Sequence, residues 1–195
     1  MFNRVELKNM AKEQIRGKIG SLFLCGLIYF LIVGATGAIP IIGPILSSIA
    51  SPAFALSFTM IFLLVTEDIK PEIGDIFKGF DNFGKALWLN IITAVFVLLW
   101  SLLFIIPGIV KSIAYSMSFY ILAENPEMTA LEALNESKRI TDGHKMDLFI
   151  LSLSFFWWAL LGPLTFGIAY IYVMPYMQTT LANAYKELKQ KSTVQ

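Results

Sequence analysis

His144 is the chain's one histidine, and Asp142, Lys145 and Asp147 surround it. A histidine beside two carboxylates can ligate a metal or pass protons. This spacing matches no metal-ligand pattern, and a charged edge at the mouth of a membrane segment accounts for the cluster. Ser137 and Lys138 are sequence neighbours, but adjacent residues on a helix point apart and make no catalytic dyad. Lys111 stands alone in an apolar stretch. It either binds an anion or a lipid phosphate, or it snorkels its ammonium to the headgroups. Arg4, Lys8, Lys12 and Arg16 recur at helical spacing beside an apolar face of Leu7, Ala11 and Ile15. Such a face with a basic flank suits an interfacial helix drawn to anionic lipid; a basic tail that only sets topology fits as well. Cys25 is the single cysteine and reads as a packing residue.

The elements that position these side chains follow from where the charges are absent. Apart from Lys111, every Lys, Arg, Asp and Glu falls in residues 1–18, 67–85, 124–147 or 186–195. Between them lie the blocks 19–66, 86–123 and 148–185. A charge at the centre of a bilayer costs ~3 kcal/mol or more, so charge-free runs of this length mean membrane. One crossing takes roughly 20 residues, and a helix as long as the shorter blocks would measure about 57 Å. Each block most simply crosses twice, turning at Ile39-Pro40-Ile41-Ile42-Gly43-Pro44, at Ile106-Pro107-Gly108 and at Gly162-Pro163; the competing arrangement has half-blocks that lie in the interface or re-enter, the short fourth helix beside Lys111 foremost.

The expected fold is all-α: a single integral membrane domain over 1–195. It is a polytopic bundle of about six transmembrane helices in three hairpins, near 19–39, 44–66, 86–106, 108–124, 147–162 and 165–185. Residues 1–18 form an amphipathic helix, 67–85 and 124–147 are cytoplasmic loops, and 186–195 is a cytoplasmic tail. Basic residues favour the cytoplasm, which places both termini inside a cell inner membrane. The stretch Val33-Gly34-Ala35-Thr36-Gly37-Ala38 also has the small residues of a cleavable leader. The long, helically patterned start favours a first span instead.

The two loops carry structure. Ile69, Ile73, Ile76, Phe77, Phe80 and Phe83 share one helical face. Thr129 and Glu132 have capping-box spacing ahead of Leu131, Leu134 and Ile140. Both loops are net acidic, so they either receive a basic partner or form a solvated face. The small residues of 47–57 and 112–118 place the second and fourth helices at the centre. Bulky runs such as Val95–Trp100 and Phe155–Trp158 place the third and fifth toward lipid or a partner subunit. Pro52 and Pro175 should kink their spans, and a kink can frame a cavity. Gln178 is the one moderately deep amide, suited to interhelical hydrogen bonding.

Much chemistry is excluded. A net charge of +1 gives no field for nucleic acid. No Gly-rich phosphate loop or zinc spacing occurs, no acid or histidine lies within the spans for an ion relay, and no cofactor is implied. Partners are membrane lipids, a second copy of the chain, or another membrane protein.

Several strings occur in a characteristic order: Arg4-x-x-Leu7-Lys8-x-x-Ala11-Lys12, Gly79-Phe80, Ile106-Pro107-Gly108-Ile109, Tyr115, Glu124-Asn125-Pro126, Glu132-Ala133-Leu134-x-x-Ser137-Lys138, Gly143-His144-Lys145, Leu148-Phe149 and Pro175-Tyr176. The set resembles the domain-of-unknown-function 975 family of bacterial multi-pass membrane proteins. That family is distantly similar to the membrane portion of some glycerophosphodiester phosphodiesterases, whose catalytic domain has no counterpart here. The resemblance implies a bacterial inner-membrane protein and transfers no catalytic residues. The corners Glu124-Asn125-Pro126 and Gly143-His144-Lys145 read as a helix end and a turn. The leading functional expectation is a non-enzymatic module that binds or moves a lipid or other amphiphile. The alternative is an accessory subunit that docks a partner through its acidic cytoplasmic helices.

Overall fold

The computed structural model describes residues 3–40, 42–165 and 167–193. Met1 and Phe2 of the amino-terminal helix, Ile41 of the first turn, Phe166 of the last expected span, and Val194 and Gln195 of the tail lie outside the described residues. Every regular element among the described residues is helical. In chain order these are α1 (Arg4–Gln14), α2 (Ile19–Gly37), α3 (Ile42–Thr66), a 3-10 helix (Ile73–Asn82), α4 (Phe83–Leu103), α5 (Ile105–Tyr115), α6 (Ser118–Glu124), α7 (Ala130–Ile140), α8 (Lys145–Leu153), α9 (Phe156–Leu164) and α10 (Tyr170–Thr193).

Five helical stretches among the described residues are long and apolar enough to cross a membrane: Ile19–Gly37, Ile42–Thr66, Ile73–Leu102, Ile105–Glu124 and Lys145–Leu164. The sixth crossing expected over 165–185 falls mainly on α10. That helix begins at Tyr170 and meets its first charge at Lys186, so its apolar part is short of the roughly 20 residues of a full crossing.

Two turns fall elsewhere than the prolines suggested. The chain reverses at Phe104, in extended conformation (φ −159°, ψ 146°), and Pro107 then sits in the first turn of α5. A proline costs little there, because that N–H has no helical acceptor. Helix α9 runs through Pro163, and the turn comes at Gly167, whose φ of +89° suits glycine.

Helix α3 is the centre of the bundle, as its composition suggested, although apart from Gly43 its buried residues lie in 52–65, and of the small residues that suggested this place only Ala53 and Ser57 are buried, beside Phe54, Leu56, Ile61 and Phe62. Pro52 cannot donate to the Ser48 carbonyl; the Ser51 hydroxyl does so instead, at 3.1 Å. Near the start of α3, Gly43 lies so close to α2 that a Cβ would come within 1.9 Å of the Thr36 carbonyl oxygen. The carboxyl end of α3 closes with Asp68 at φ 62°, the Ile69 N–H reaching the Leu64 carbonyl and the Asp68 N–H the Val65 carbonyl. This is a Schellman ending, with aspartate where glycine is usual. Among the residues of α4 whose burial is described, Ala86 and Leu89 alone are buried, in line with a third segment turned outward; the fifth departs from that expectation, because Phe156 and Trp157 are exposed but Phe155, Leu148 and Leu151 are buried, Phe155 against Tyr176.

The four charged stretches meet one another. Lys18 pairs with Asp68, Lys186 with Glu67 at 3.1 Å, and Lys189 with Glu124, while Lys85 donates to the Pro126 carbonyl. These contacts link 1–18, 67–85, 124–147 and the tail into one charged face.

The helix α1 departs from the interfacial reading in one respect. Leu7, Ala11 and Ile15 are buried in the protein core, with α1 packed chiefly on α10. The Gln14 amide exchanges hydrogen bonds with Asn183, at 2.6 and 3.3 Å. The apolar stripe is therefore spent on protein rather than lipid, because an apolar face gains the same burial from either.

Candidate functional site

Two regions concentrate the candidate side chains: the charged face and a cleft within the bundle.

On the charged face, α7 begins with the capping box expected from Thr129 and Glu132. The Thr129 N–H donates to Glu132 Oε2 at 2.8 Å, and the Glu132 N–H donates to Thr129 Oγ1 at 3.3 Å. Those bonds hold the Glu132 carboxyl below its ordinary range, the Thr129 backbone N–H contributing most. Ala133, Leu134 and Ser137 face inward. The Ser137 hydroxyl donates to the Ala114 carbonyl at 2.8 Å and accepts the Met117 N–H at 3.2 Å; Thr141 adds a bond to Ala114 at 3.3 Å. Ala114 and Met117 bracket the break between α5 and α6. Buried backbone that leaves the helix needs such partners, so α7 satisfies the break.

The corner residues have parallel roles. Glu124 accepts from the Tyr185 hydroxyl at 2.8 Å and from Lys189. Asn125 returns its amide to the Ile121 carbonyl at 3.0 Å, and Pro126 receives Lys85. Gly143 turns the chain at φ 75°, a conformation costly for other residues. Lys145 pairs with Asp142 at 2.7 Å. His144 caps α8, and its Nδ1 lies 3.6 Å from Asp147 Oδ2.

The 3-10 helix docks in a similar way. Gly79 donates its N–H to the buried Ser57 hydroxyl at 2.8 Å. Its buried row includes Ile76 and Gly79, while Phe77, Phe80 and Phe83 form a ladder with ring centroids 6.4 and 6.3 Å apart. Phe77 and Phe80 are exposed. The expected face was drawn at a period of 3.6; the real period is 3.

The cations predicted to meet lipid lie over aromatic rings. Lys8 Nζ is 4.5 Å from the Phe155 centroid, and Lys12 Nζ is 5.6 Å from Tyr176. Burial, with Lys12 and Arg4 nearby, holds the Lys8 ammonium below the ordinary lysine range. Lys111 Nζ lies 4.6 Å over Trp100, across the α4–α5 hairpin. Arg16 is exposed and Arg4 half-buried.

The cleft has a volume of about 870 Å³ and lies between α2, α3, the α5–α6 junction and α10. Pro175 lines it, as the kink suggested; Pro52 does not. Its walls are aromatic and aliphatic, among them Phe23, Phe30, Phe58 and Ile171. The polar lining is neutral: Thr59, Ser116, the tyrosine hydroxyls and Gln178. The Tyr120 hydroxyl donates to Gln178 Oε1 at 3.5 Å, joining α6 to α10. Gln178 thus makes the interhelical bond expected of it. Tyr120 was missed, and its only sequence signal is a hydroxyl-bearing ring at the polar end of an otherwise apolar span.

A family model described as protein of unknown function (DUF975) matches residues 1–114 and 105–192. No curated protein and no solved structure matches the chain. The two matched segments run through nearly the whole sequence, and the chain belongs to that family of unknown function, DUF975.

Proposed function

We propose that this protein is a non-enzymatic module of the bacterial inner membrane that binds a lipid or other amphiphile in the cleft between α2, α3, α6 and α10. The observation that carries the reading is the cleft itself. A volume of about 870 Å³ lies within the roughly 300–1,000 Å³ of pockets that enclose small molecules, and its lining is mainly apolar. Six crossings in three hairpins suit the bundle, with the first half of α10 as the sixth. The mutual contacts of the four charged stretches support this, because an even number of crossings returns the chain to one face. Basic residues ahead of α2 assign that face to the cytoplasm. Arg4, Lys8, Lys12 and Arg16 then lie where anionic headgroups gather, and Lys111 lies near the opposite headgroups.

Native mass spectrometry of the protein released in gentle detergent tests the reading. A stoichiometric adduct that survives activation, and is lost when Gly26→Trp fills the cleft, supports it. A bare protein under every release condition counts against it. Docking of a basic partner on the acidic face is the competing role. Glu67, Asp68 and Glu124 already pair with lysines of this chain, which reduces the free acidic surface. Crosslinking through 69–83 or 126–142 that traps one specific second protein would favour docking. We assign no catalytic role to His144; loss of a cellular phenotype in His144→Ala at normal protein level would overturn that assignment.

A further inference from the structure

We infer that the amphiphile the cleft selects has an uncharged head that accepts a hydrogen bond through oxygen, such as an alcohol or a carbonyl. This rests on the cleft being a lipid site, as proposed above, and adds the chemistry of the head. The first argument is charge. None of the residues lining the cleft is Asp, Glu, Lys, Arg or His. An ionic head placed there would lose its hydration with no counter-ion to replace it.

The second argument is the hydrogen-bonding inventory. Thr59 spends its hydroxyl proton on the Ala55 carbonyl at 2.8 Å, and Ser116 spends its own on Ile113 at 2.8 Å. The Tyr120 proton goes to Gln178 Oε1. Among the described residues nothing accepts from the Gln178 amide nitrogen. Gln178 is half-buried, and its amide carries two donors that gain from an acceptor where the cleft walls are mainly apolar. A ligand oxygen supplies one, and an alcohol can return its own proton to the Tyr120 oxygen.

The third argument is polarity along the cleft. Gln178 and Tyr120 lie toward the charged face. About 12 Å of helix separates Gln178 from Tyr170, and the walls in that direction are Phe30, Ile171 and Met174. The Gln178 amide thus stands at one end of the cleft, with mainly apolar walls running from it to the Tyr170 ring at the other. Phe23, Leu27 and Phe30 of α2 line the cleft and are also exposed, so it opens sideways to the hydrocarbon from which such a ligand would enter.

The test uses the full chain in detergent and three probes with the same chain: oleyl alcohol, oleyl phosphate and oleylamine. Binding is read by native mass spectrometry titration of wild type, Gln178→Leu and Gly26→Trp. A Cβ at Gly26 meets no heavy atom within 4 Å, so the new side chain can enter the cleft. The expected result is oleyl alcohol bound at least tenfold tighter than either ion, with that preference lost in Gln178→Leu and all binding lost in Gly26→Trp. Equal binding of the three probes, unchanged by Gln178→Leu but abolished by Gly26→Trp, would overturn the head assignment and leave the lipid site standing. A preference for either ion would overturn it as well. No binding of any probe by wild type would remove both readings.

Discussion

Gly79→Ala should release the 3-10 helix from α3. A Cβ at Gly79 would stand 2.1 Å from the Ala53 carbonyl oxygen and 2.6 Å from the Ser57 nitrogen. Both are backbone atoms of the central helix, so no side-chain rotation relieves the clash. Overpacking of this kind costs about 1–3 kcal/mol. The displaced helix also loses the Gly79 N–H to Ser57 hydroxyl bond, worth about 1 kcal/mol net. Together these make about 2–4 kcal/mol, and at 1.4 kcal/mol per factor of ten the open fraction rises roughly 30- to 1,000-fold. Cys25 reports it without engineering. It is the one cysteine of the chain, fully buried, with its sulfur 3.7 Å from the Glu72 carbonyl oxygen just ahead of the docked helix. Labelling by a maleimide dye tracks the open fraction when closing outpaces reaction. Ser57→Ala adds no clash but leaves the buried Gly79 N–H without its acceptor, at about 1–3 kcal/mol, and should accelerate labelling roughly 5- to 150-fold. Gly84→Ala is the control, since nothing lies near its Cβ and it sits within α4. It should leave the rate unchanged or slower, because alanine favours helix by up to about 1 kcal/mol. A Gly79→Ala protein that labels within twofold of wild type would refute the reasoning.

Three further outcomes follow from the same geometry. Gly108→Ala should lower the unfolding midpoint by opening the α4–α5 hairpin, because its Cβ would meet Ser101 Oγ at 2.1 Å and Ser101 Cα at 3.0 Å; adding Ser101→Gly should restore most of the loss. Ser137→Ala leaves the Met117 N–H without its acceptor and should cost about 1–3 kcal/mol, visible as a lower thermal midpoint in detergent, whereas Lys138→Ala next to it should be silent. The capping box predicts a pH effect. Because Thr129 holds the Glu132 carboxyl below its ordinary value, the box stabilises α7 at neutral pH, and the stability is lost as pH falls from the unfolded value of about 4.3 through the lower folded one. Glu132→Gln keeps an acceptor for Thr129 and should flatten that acid limb of the midpoint.

The segregation of charge was legible because its cause does not depend on fold detail: ions stay out of hydrocarbon. Lys18, Lys186 and Lys189 could therefore be assigned to a shared face before their partners Asp68, Glu67 and Glu124 were known. The capping box was legible because Thr129 and Glu132 act locally. The turns were not, because a proline opens a helix as readily as it ends one, and Pro107 does the first. The Ile69–Phe83 pattern fits two periods, and only packing on α3 selects the shorter. Leu7, Ala11 and Ile15 announce an apolar face without saying whether lipid or protein will cover it. The cleft had one faint signature, the kink at Pro175, which lines it; its size depends on how far α2 and α10 stand apart, which no local pattern reports.

The charged segments do more than connect crossings. Two of them lock onto the bundle through hydroxyls: Ser57 of α3 holds Gly79 of the 3-10 helix, and Ser137 of α7, with Thr141 beside it, holds the α5–α6 break. The second lock borders the cleft. Ser116 lies within the clamped break and lines it, and Tyr120 follows one turn into α6. Any movement that swings α6 away from α5 to widen the cleft must strain or break the bonds from Ser137 to Ala114 and Met117. The lysine that pairs with Glu124 and the tyrosine that bonds it belong to α10, the opposite wall. The charged face thus ties both sides of the cleft together at one end, through Glu124.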